Sequence, residues 1–266
     1  MPELDLAGTT LHYSDSGSGP AVVFLHGLYQ DADCWTPFAE ELSVSYRVVC
    51  CDLRGCGRST DGTAVTIEQL AADLGALIDT LGLDRPTVVG HSLGGQAALL
   101  FAVQQPRRLR GLVLAGVSPL AMDAAMGPAY AAFAQLAPAM GLTDQLSEAM
   151  LSLVYAADSL DHGPGGLELY RRQLALLRSP AEIATQIGAY TGRPALDDRL
   201  GAIVCPTLIV AGELDTTVSL ASAQLLNLRI AGSELALLPD ASHMAPLERP
   251  VEFKAALLPF LARLSA

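Results

Sequence analysis

Two hydrophobic periods take turns along this chain of 266 residues. Short apolar runs of strand length give way to stretches in which apolar residues return every three or four positions, as on one face of a helix. Glu3 to Leu6 and Thr9 to Ser14 alternate polar and apolar about Ala7-Gly8, which predicts a two-stranded hairpin with one wet face at a sheet edge. Ala21 to Leu25 is continuously apolar, the pattern of a parallel strand buried on both faces, and Tyr46 to Cys51 returns as another. Between them Trp35, Phe38, Ala39 and Leu42 fall at helical spacing. Ile67, Leu70, Ala71, Leu74, Leu77, Ile78 and Leu81 mark an amphipathic helix opened by Thr66 as its N-cap. Thr87 to Val89, Leu109 to Gly116, Thr207 to Ala211 and Glu234 to Leu238 complete eight predicted strands. Helices are expected after the fifth strand (Ala97, Ala98, Leu99, Phe101, Ala102), from about Leu220 to Leu228, and from Pro250 to Leu264, with proline near its first turn. This alternation implies right-handed crossovers and an α/β fold, a mostly parallel sheet covered by helices on both faces.

Between Pro119 and Asp198 the alternation stops. Met122, Ala125, Met126, Tyr130 and Phe133, then Leu146, Met150, Leu153 and Val154, then Leu169, Leu174 and Leu177 keep helical spacing with no strand between them. Pro138, Gly141 and Gly163 to Gly166 divide this insert into four predicted helices. An insert at this point emerges on the rim where ligands of open α/β sheets bind, so residues 118–197 are expected to form a helical cap over a core of residues 1–117 and 198–266.

Composition narrows the function classes. The chain is 51% hydrophobic and 17% charged, enough for a large core. Its 16 Lys+Arg against 28 Asp+Glu give a formal charge of −12 without a basic cluster, which argues against nucleic acid and anionic membrane as partners. No stretch approaches the roughly 18–20 apolar residues of a membrane span, and the first residues lack the basic and apolar regions of a secretion signal; a cytoplasmic protein, monomeric or homodimeric, is expected. The five cysteines are odd in number and form no Cys-x-x-Cys pair, so they read as reduced thiols, with Cys50 and Cys51 pointing to opposite faces of one strand.

The candidate chemistry starts at Gly90-His91-Ser92-Leu93-Gly94-Gly95, between the β-branched strand Thr87 to Val89 and a helix that begins at once. The glycines let strand and helix approach closely and leave the Ser92 hydroxyl projecting above the sheet edge. The Leu93 amide, at a helix N-terminus, faces any negative charge that develops on a substrate oxygen. A serine hydroxyl is a weak nucleophile at neutral pH and needs a base, which needs an orienting acid. Two loops that leave later strands supply candidates: Gly212-Glu-Leu-Asp215, and Asp240-Ala-Ser-His243-Met-Ala-Pro246. A parallel sheet brings such loops to one rim, in the chain order Ser92, Asp215, His243. Glu213 shares the first loop, and on direction alone it remains open as the acid.

These motifs, together with His26-Gly27, Asp52-Leu-Arg-Gly-Cys-Gly-Arg-Ser59 and Ser242-His-Met-Ala-Pro-Leu-Glu-Arg-Pro250, make the chain resemble the serine hydrolases of the α/β-hydrolase superfamily across residues 9–264. Among them it is similar to small capped esterases and lactonases, including 3-oxoadipate enol-lactone hydrolases and cofactor-free haloperoxidase-like esterases. The resemblance implies that Leu28, after His-Gly, donates the second oxyanion amide beside Leu93, and it selects Asp215 as the acid. It also implies an acyl-enzyme reaction on a small or medium carboxylic ester or lactone, without cofactor or metal. The serine at 92, where epoxide hydrolases and haloalkane dehalogenases carry aspartate, disfavours those two chemistries. Hydrolysis of a C–C bond in a diketone, or a slow-turnover receptor on the same fold, would keep the same residues. The apolar and methionine-rich insert predicts an apolar pocket lined by Trp35, Met126, Tyr130, Phe133 and Met150, although Trp35 also reads as core. His26 and His91 read as residues that pack or hold loops, and Arg54 with Asp52 as a brace for the loop that carries them.

Overall fold

Eight strands, β1 (Glu3–Leu6), β2 (Thr9–Ser16), β3 (Ala21–Leu25), β4 (Arg47–Cys51), β5 (Thr87–His91), β6 (Gly111–Ala115), β7 (Thr207–Gly212) and β8 (Glu234–Leu238), form one sheet in the order β1-β2-β4-β3-β5-β6-β7-β8. The computed structural model in which they are seen describes residues 2–6, 8–59, 65–122, 127–140, 143–162, 165–176 and 180–265. The hairpin β1–β2 lies at one edge and pairs antiparallel, Leu4 opposite Leu11 and Tyr13 opposite Cys51. All pairings from β4 to β8 are parallel. All eight predicted strands are present, although β6 is shorter than its apolar run and β8, at the sheet edge, is buried only at Leu238; successive residues line alternate faces of the sheet. Val23, Leu25, Val49, Cys51, Val88, Leu112 and Leu114 enter one core, and Val22, Phe24, Val48, Cys50, Val89 and Val113 the other.

The first core is closed by α2 (Ile67–Thr80), α3 (Ser92–Gln104) and α9 (Leu220–Arg229), the second by α1 (Thr36–Leu42) and α11 (Pro250–Ser265). Helix α2 begins where predicted: Thr66 Oγ1 accepts from the Gln69 amide and the Gln69 side chain from the Thr66 amide, a reciprocal cap. Helix α3 is buried around its whole circumference, which its alanines and glycines permit by letting neighbours approach. The five cysteines are all buried and unpaired, with Cys50 and Cys51 on opposite faces of β4. Burial raises every one of these thiols, Cys50 to about 12.

Between β6 and β7 the chain is helical: α4 (Gly127–Met140), α5 (Asp144–Val154), α6 (Ala157–His162), α7 (Gly165–Leu176) and α8 (Pro180–Thr191). The sequence predicts four helices and the described residues contain five. Helix α4 runs through Pro138, and an unforeseen break separates α5 from α6 at Tyr155-Ala156. No glycine or proline marks that break; the Ala156 amide goes instead to the Glu248 carboxylate, at 2.8 Å. A short helix after the β8 loop, α10 (Ala245–Glu248), carries that carboxylate and was likewise not foreseen. Among the described residues no helix is long and apolar enough to cross a membrane.

Candidate active site

Ser92 takes the first position of α3 with φ +47°, a left-handed conformation that a serine adopts only when its surroundings force it. The force is visible in its neighbours. A Cβ on Gly90 would lie 2.6 Å from the Gly95 Cα, and one on Gly94 2.6 Å from the His26 carbonyl oxygen, so the turn closes only with glycine at both places. The Gly94 amide donates to that His26 oxygen at 3.0 Å, tying the turn to the end of β3. The Ser92 hydroxyl lies 2.9 Å from His243 Nε2, and His243 Nδ1 lies 2.9 Å from Asp215 Oδ2. These three side chains, from the ends of β5, β7 and β8, form one hydrogen-bonded chain, and all are buried.

Each member is held from behind. Burial alone would raise the Asp215 carboxyl, but His243 and the amides of Val218 and Thr217, both donating to Oδ1 at 2.8 Å, outweigh it and leave the group below the usual carboxylate range. An anionic Asp215 facing Nδ1 sets that nitrogen as the proton donor, which turns the Nε2 lone pair to Ser92. The backbone of His243 is fixed by His91, whose Nε2 sits 3.0 Å from the His243 carbonyl oxygen. A carbonyl only accepts, so His91 Nε2 carries the proton. Burial lowers His91 to about 3, so the ring is neutral. The imidazole of His243 rests over Gly116, where a Cβ would come within 3.0 Å of Cε1. Glu213, in the same loop as Asp215, is exposed and makes no bond to His243 among the described residues.

Leu28 and Leu93, the two expected amide donors, follow the ends of β3 and β5 in the chain. Leu93 is the second residue of α3, so its amide has no acceptor within the helix. The peptide that carries the Leu28 amide is fixed by its own carbonyl: Gly27 O accepts from His26 Nδ1 at 2.8 Å. In a trans peptide the N–H points opposite to the C=O, so this bond sets where the Leu28 amide aims. His26 Nε2 accepts from the Leu53 amide at 2.9 Å, which fixes the tautomer, and burial keeps the ring neutral by lowering its pKa. On either side, the Gly27 amide donates to Gln30 Oε1 and the Tyr29 amide to Gln186 Oε1, both at 2.9 Å.

The remaining predicted residues fall in two groups. Trp35 packs in an aromatic core cluster with Phe24, Phe38 and Phe253, ring centroids 5.0, 5.7 and 6.3 Å away, and is 1% exposed. Tyr130 lies against the Tyr190 ring at 5.4 Å, linking α4 to α8, and Met150 is buried in the same cluster as Met244, next to His243. Met126 and the side chain of Phe133 lie outside the described residues. The expected Arg54–Asp52 brace is divided between two pairs. Arg54 bonds Asp73 of α2 at 2.6 and 2.7 Å, while Asp52 accepts from the amides of Ala32 and Arg58 and from the Arg58 guanidinium. Arg54 turns inward to the buried Asp73, both of whose carboxylate oxygens it bonds. Three residues that sequence reasoning did not place hold the site: Gln30, Gln186 and Glu248. Only Glu248 carried a signal, its position five residues beyond His243.

The chain matches the family model described as "Alpha/beta hydrolase family" over residues 22–256. It is 32% identical over 279 residues to a 2-hydroxy-6-oxononadienedioate/2-hydroxy-6-oxononatrienedioate hydrolase of Pseudomonas putida, covering 97% of this chain and 93% of that one. The enol-lactonase of Burkholderia xenovorans LB400 superposes with a TM-score of 0.90 at 28% identity, covering 98% of this chain and 100% of the other. A thermophilic esterase of Thermogutta terrifontis gives 0.88 at 28% identity, covering 97% and 95%. The sheet order, the turn at Ser92 and the family match thus converge, and this chain belongs to the alpha/beta hydrolase family.

Proposed function

We propose that the protein is a serine hydrolase of small or medium apolar carboxylic esters or lactones that works through an acyl-enzyme. The observation that carries this reading is the unbroken chain Ser92 Oγ, His243 Nε2, His243 Nδ1, Asp215 Oδ2, with both distances at 2.9 Å. His243 takes the Ser92 proton as Oγ bonds to the substrate carbonyl carbon, and the π electron pair moves onto the carbonyl oxygen. The Leu28 and Leu93 amides face that oxyanion. Collapse restores the carbonyl and breaks the bond to the alkoxy oxygen, which leaves with the proton held on His243; in a lactone it stays tethered to the acyl group. Water then gives a proton to His243 and attacks the acyl carbon, and the second collapse returns that proton to Ser92 Oγ and releases the acid. Neither step draws on a cofactor.

In this reading residues 118–197 are the cap and residues 1–117 and 198–266 the hydrolase core. Tyr130 and Met150, with Met126 and Phe133, would line the acyl pocket, and Trp35 would support it from the core. The test is labelling by an organophosphonate, located by mass spectrometry, beside turnover of p-nitrophenyl esters of graded chain length and of simple lactones. We expect phosphonylation at Ser92, turnover in both substrate sets, and a loss on the order of 10⁶ in kcat for Ser92→Ala. Labelled Ser92 without ester or lactone turnover would overturn the assignment in favour of a C–C bond hydrolase or a slow-turnover receptor.

A further inference from the structure

The amide of Leu28 sits in the middle of a strained loop, and what holds the far side of that loop comes from the helical insert. Tyr29 has φ +58°, a left-handed conformation that a bulky L-residue avoids and that persists only where other contacts over-determine it. Its amide donates to Gln186 Oε1 at 2.9 Å, across 157 residues of sequence. The other end of the same side chain, Gln186 Nε2, donates to the Gly55 carbonyl at 3.2 Å. Gln186 is 2% exposed. One buried amide on α8 therefore bridges the loop after β3 and the loop after β4, with its oxygen and nitrogen both engaged. The bonds on the near side, from Gln30 to the Gly27 amide and from His26 to the Gly27 carbonyl, originate within the core. Gln186 alone among these partners belongs to the insert.

We infer that Gln186 is a positioning residue that links the seating of α8 to the direction of the Leu28 amide, so that the oxyanion site is complete only when the insert is in place. The inference rests on the reading of Leu28 as an oxyanion donor. With Gln186 withdrawn, the Tyr29 amide loses this acceptor and the left-handed tyrosine one of the contacts that fix it. Relaxation of Tyr29 then turns the neighbouring peptides, Leu28 among them. A donor displaced by even about 1 Å forfeits much of its hold on the transition state while ground-state binding is little changed.

The experiment compares Gln186→Leu with Gln186→Glu, which keeps an oxygen for the Tyr29 amide. An alkyl trifluoromethyl ketone serves as probe, because its adduct with Ser92 places an anionic oxygen between the two amides. Gln186→Leu is expected to lower kcat by about 10- to 100-fold with KM within about threefold, and to weaken the ketone by the same factor as kcat/KM. Gln186→Glu is expected to lose less than Gln186→Leu on both measures. Undiminished kcat in a folded Gln186→Leu overturns the inference, and so does a fall in kcat that leaves the ketone affinity untouched. Should Gln186→Leu not fold, the Gln186→Glu protein decides alone: any fall in its kcat is expected with an equal weakening of the ketone, and a fall with the ketone affinity untouched overturns the inference. The underlying reading is checked apart: turnover that survives Ser92→Ala removes the site itself, whereas an inactive Ser92→Ala beside a fully active Gln186→Leu removes only the role of Gln186.

Discussion

The rim of the sheet and the helical insert above it are built on different terms. On the rim, polar groups close to strand ends hold the candidate site: Thr217 and Val218 amides for Asp215, the His91 ring for the His243 carbonyl, the His26 ring for the Gly27 carbonyl. Among the described residues, long-range bonds join the insert to that rim, Gln173 Nε2 to Asp31 Oδ1 at 2.6 Å among them. Gln186 reaches Tyr29 and Gly55, the Met244 amide reaches the Val154 carbonyl, Thr217 Oγ1 reaches the Leu153 carbonyl, and Glu248 spans the two bodies of structure. The candidate triad is thus held by the sheet, and the insert meets its rim through separate long-range joints.

The largest expected effect lies on the rim. Asp215→Asn should fold normally and lose about 10⁴ in kcat, because the histidine tautomer is no longer set by an anion. Glu213→Gln, an exposed neighbour two residues away, should stay within about tenfold of the unmodified protein. Steady-state kinetics of the two, each with a circular dichroism spectrum, settle the matter. Reversed outcomes would move the acid to Glu213 and erase the distinction drawn between buried and exposed carboxylates of this loop.

An intermediate effect is expected at a joint. Glu248 Oε1 accepts from the Ser242 amide at 2.8 Å, and Oε2 accepts from the Ala156 amide at 2.8 Å and the Ser159 hydroxyl at 2.9 Å. Burial raises this carboxyl even so, although the three donors and Arg249 oppose the rise. Glu248→Ala strands two buried amides, each costing about 1–3 kcal/mol, and a protein of this size loses about 2–4 °C in Tm per kcal/mol. Turnover should fall about tenfold as the loop that carries His243 loosens. Calorimetry and kinetics on the same preparation test this: a Tm unchanged within about 1 °C would show that the insert and the histidine loop are held together elsewhere.

The smallest expected effect on turnover belongs to His91, whose consequence is for stability. Its pKa is lowered by burial from the ordinary value near 6.5 to about 3, so below about pH 6.5 the unfolded chain takes up a proton that the folded chain refuses. The stability present above pH 6.5 is therefore lost progressively as pH falls toward 3. His26, lowered in the same sense, adds to the loss. Thermal melts between pH 7 and 4 should show a falling Tm. A His91→Gln variant should have the shallower slope, and an equal slope in the two proteins would mean that His91 is charged in the fold.

Much of this was legible in the sequence because a parallel sheet converts order along the chain into position on a rim. Ser92, Asp215 and His243 each follow an apolar run, and three such runs in one sheet leave their loops little choice of where to go. The role of Gln186 is illegible for the opposite reason. A glutamine on a helix has no periodic or turn signal that names its acceptor, and its partners were chosen by how α8 packs, 157 residues from Tyr29. The break between α5 and α6 was hidden for a similar cause, since the residue that captures the Ala156 amide lies 92 positions away. Arg54 and Asp52 read as one brace because they lie two positions apart in one loop, whereas Asp73 is brought to Arg54 by the fold of α2.

The cysteines of the two cores have a consequence of their own. A thiol reacts as its thiolate, and here burial both withholds the anion and denies the reagent a path. Alkylation of both in native buffer must then wait until both faces of the sheet open, since Cys50 and Cys51 face opposite cores and no single fraying helix uncovers the pair. The adjacent pair is an internal gauge of opening, in which labelling at one sulfur alone reports which face of the sheet was bared.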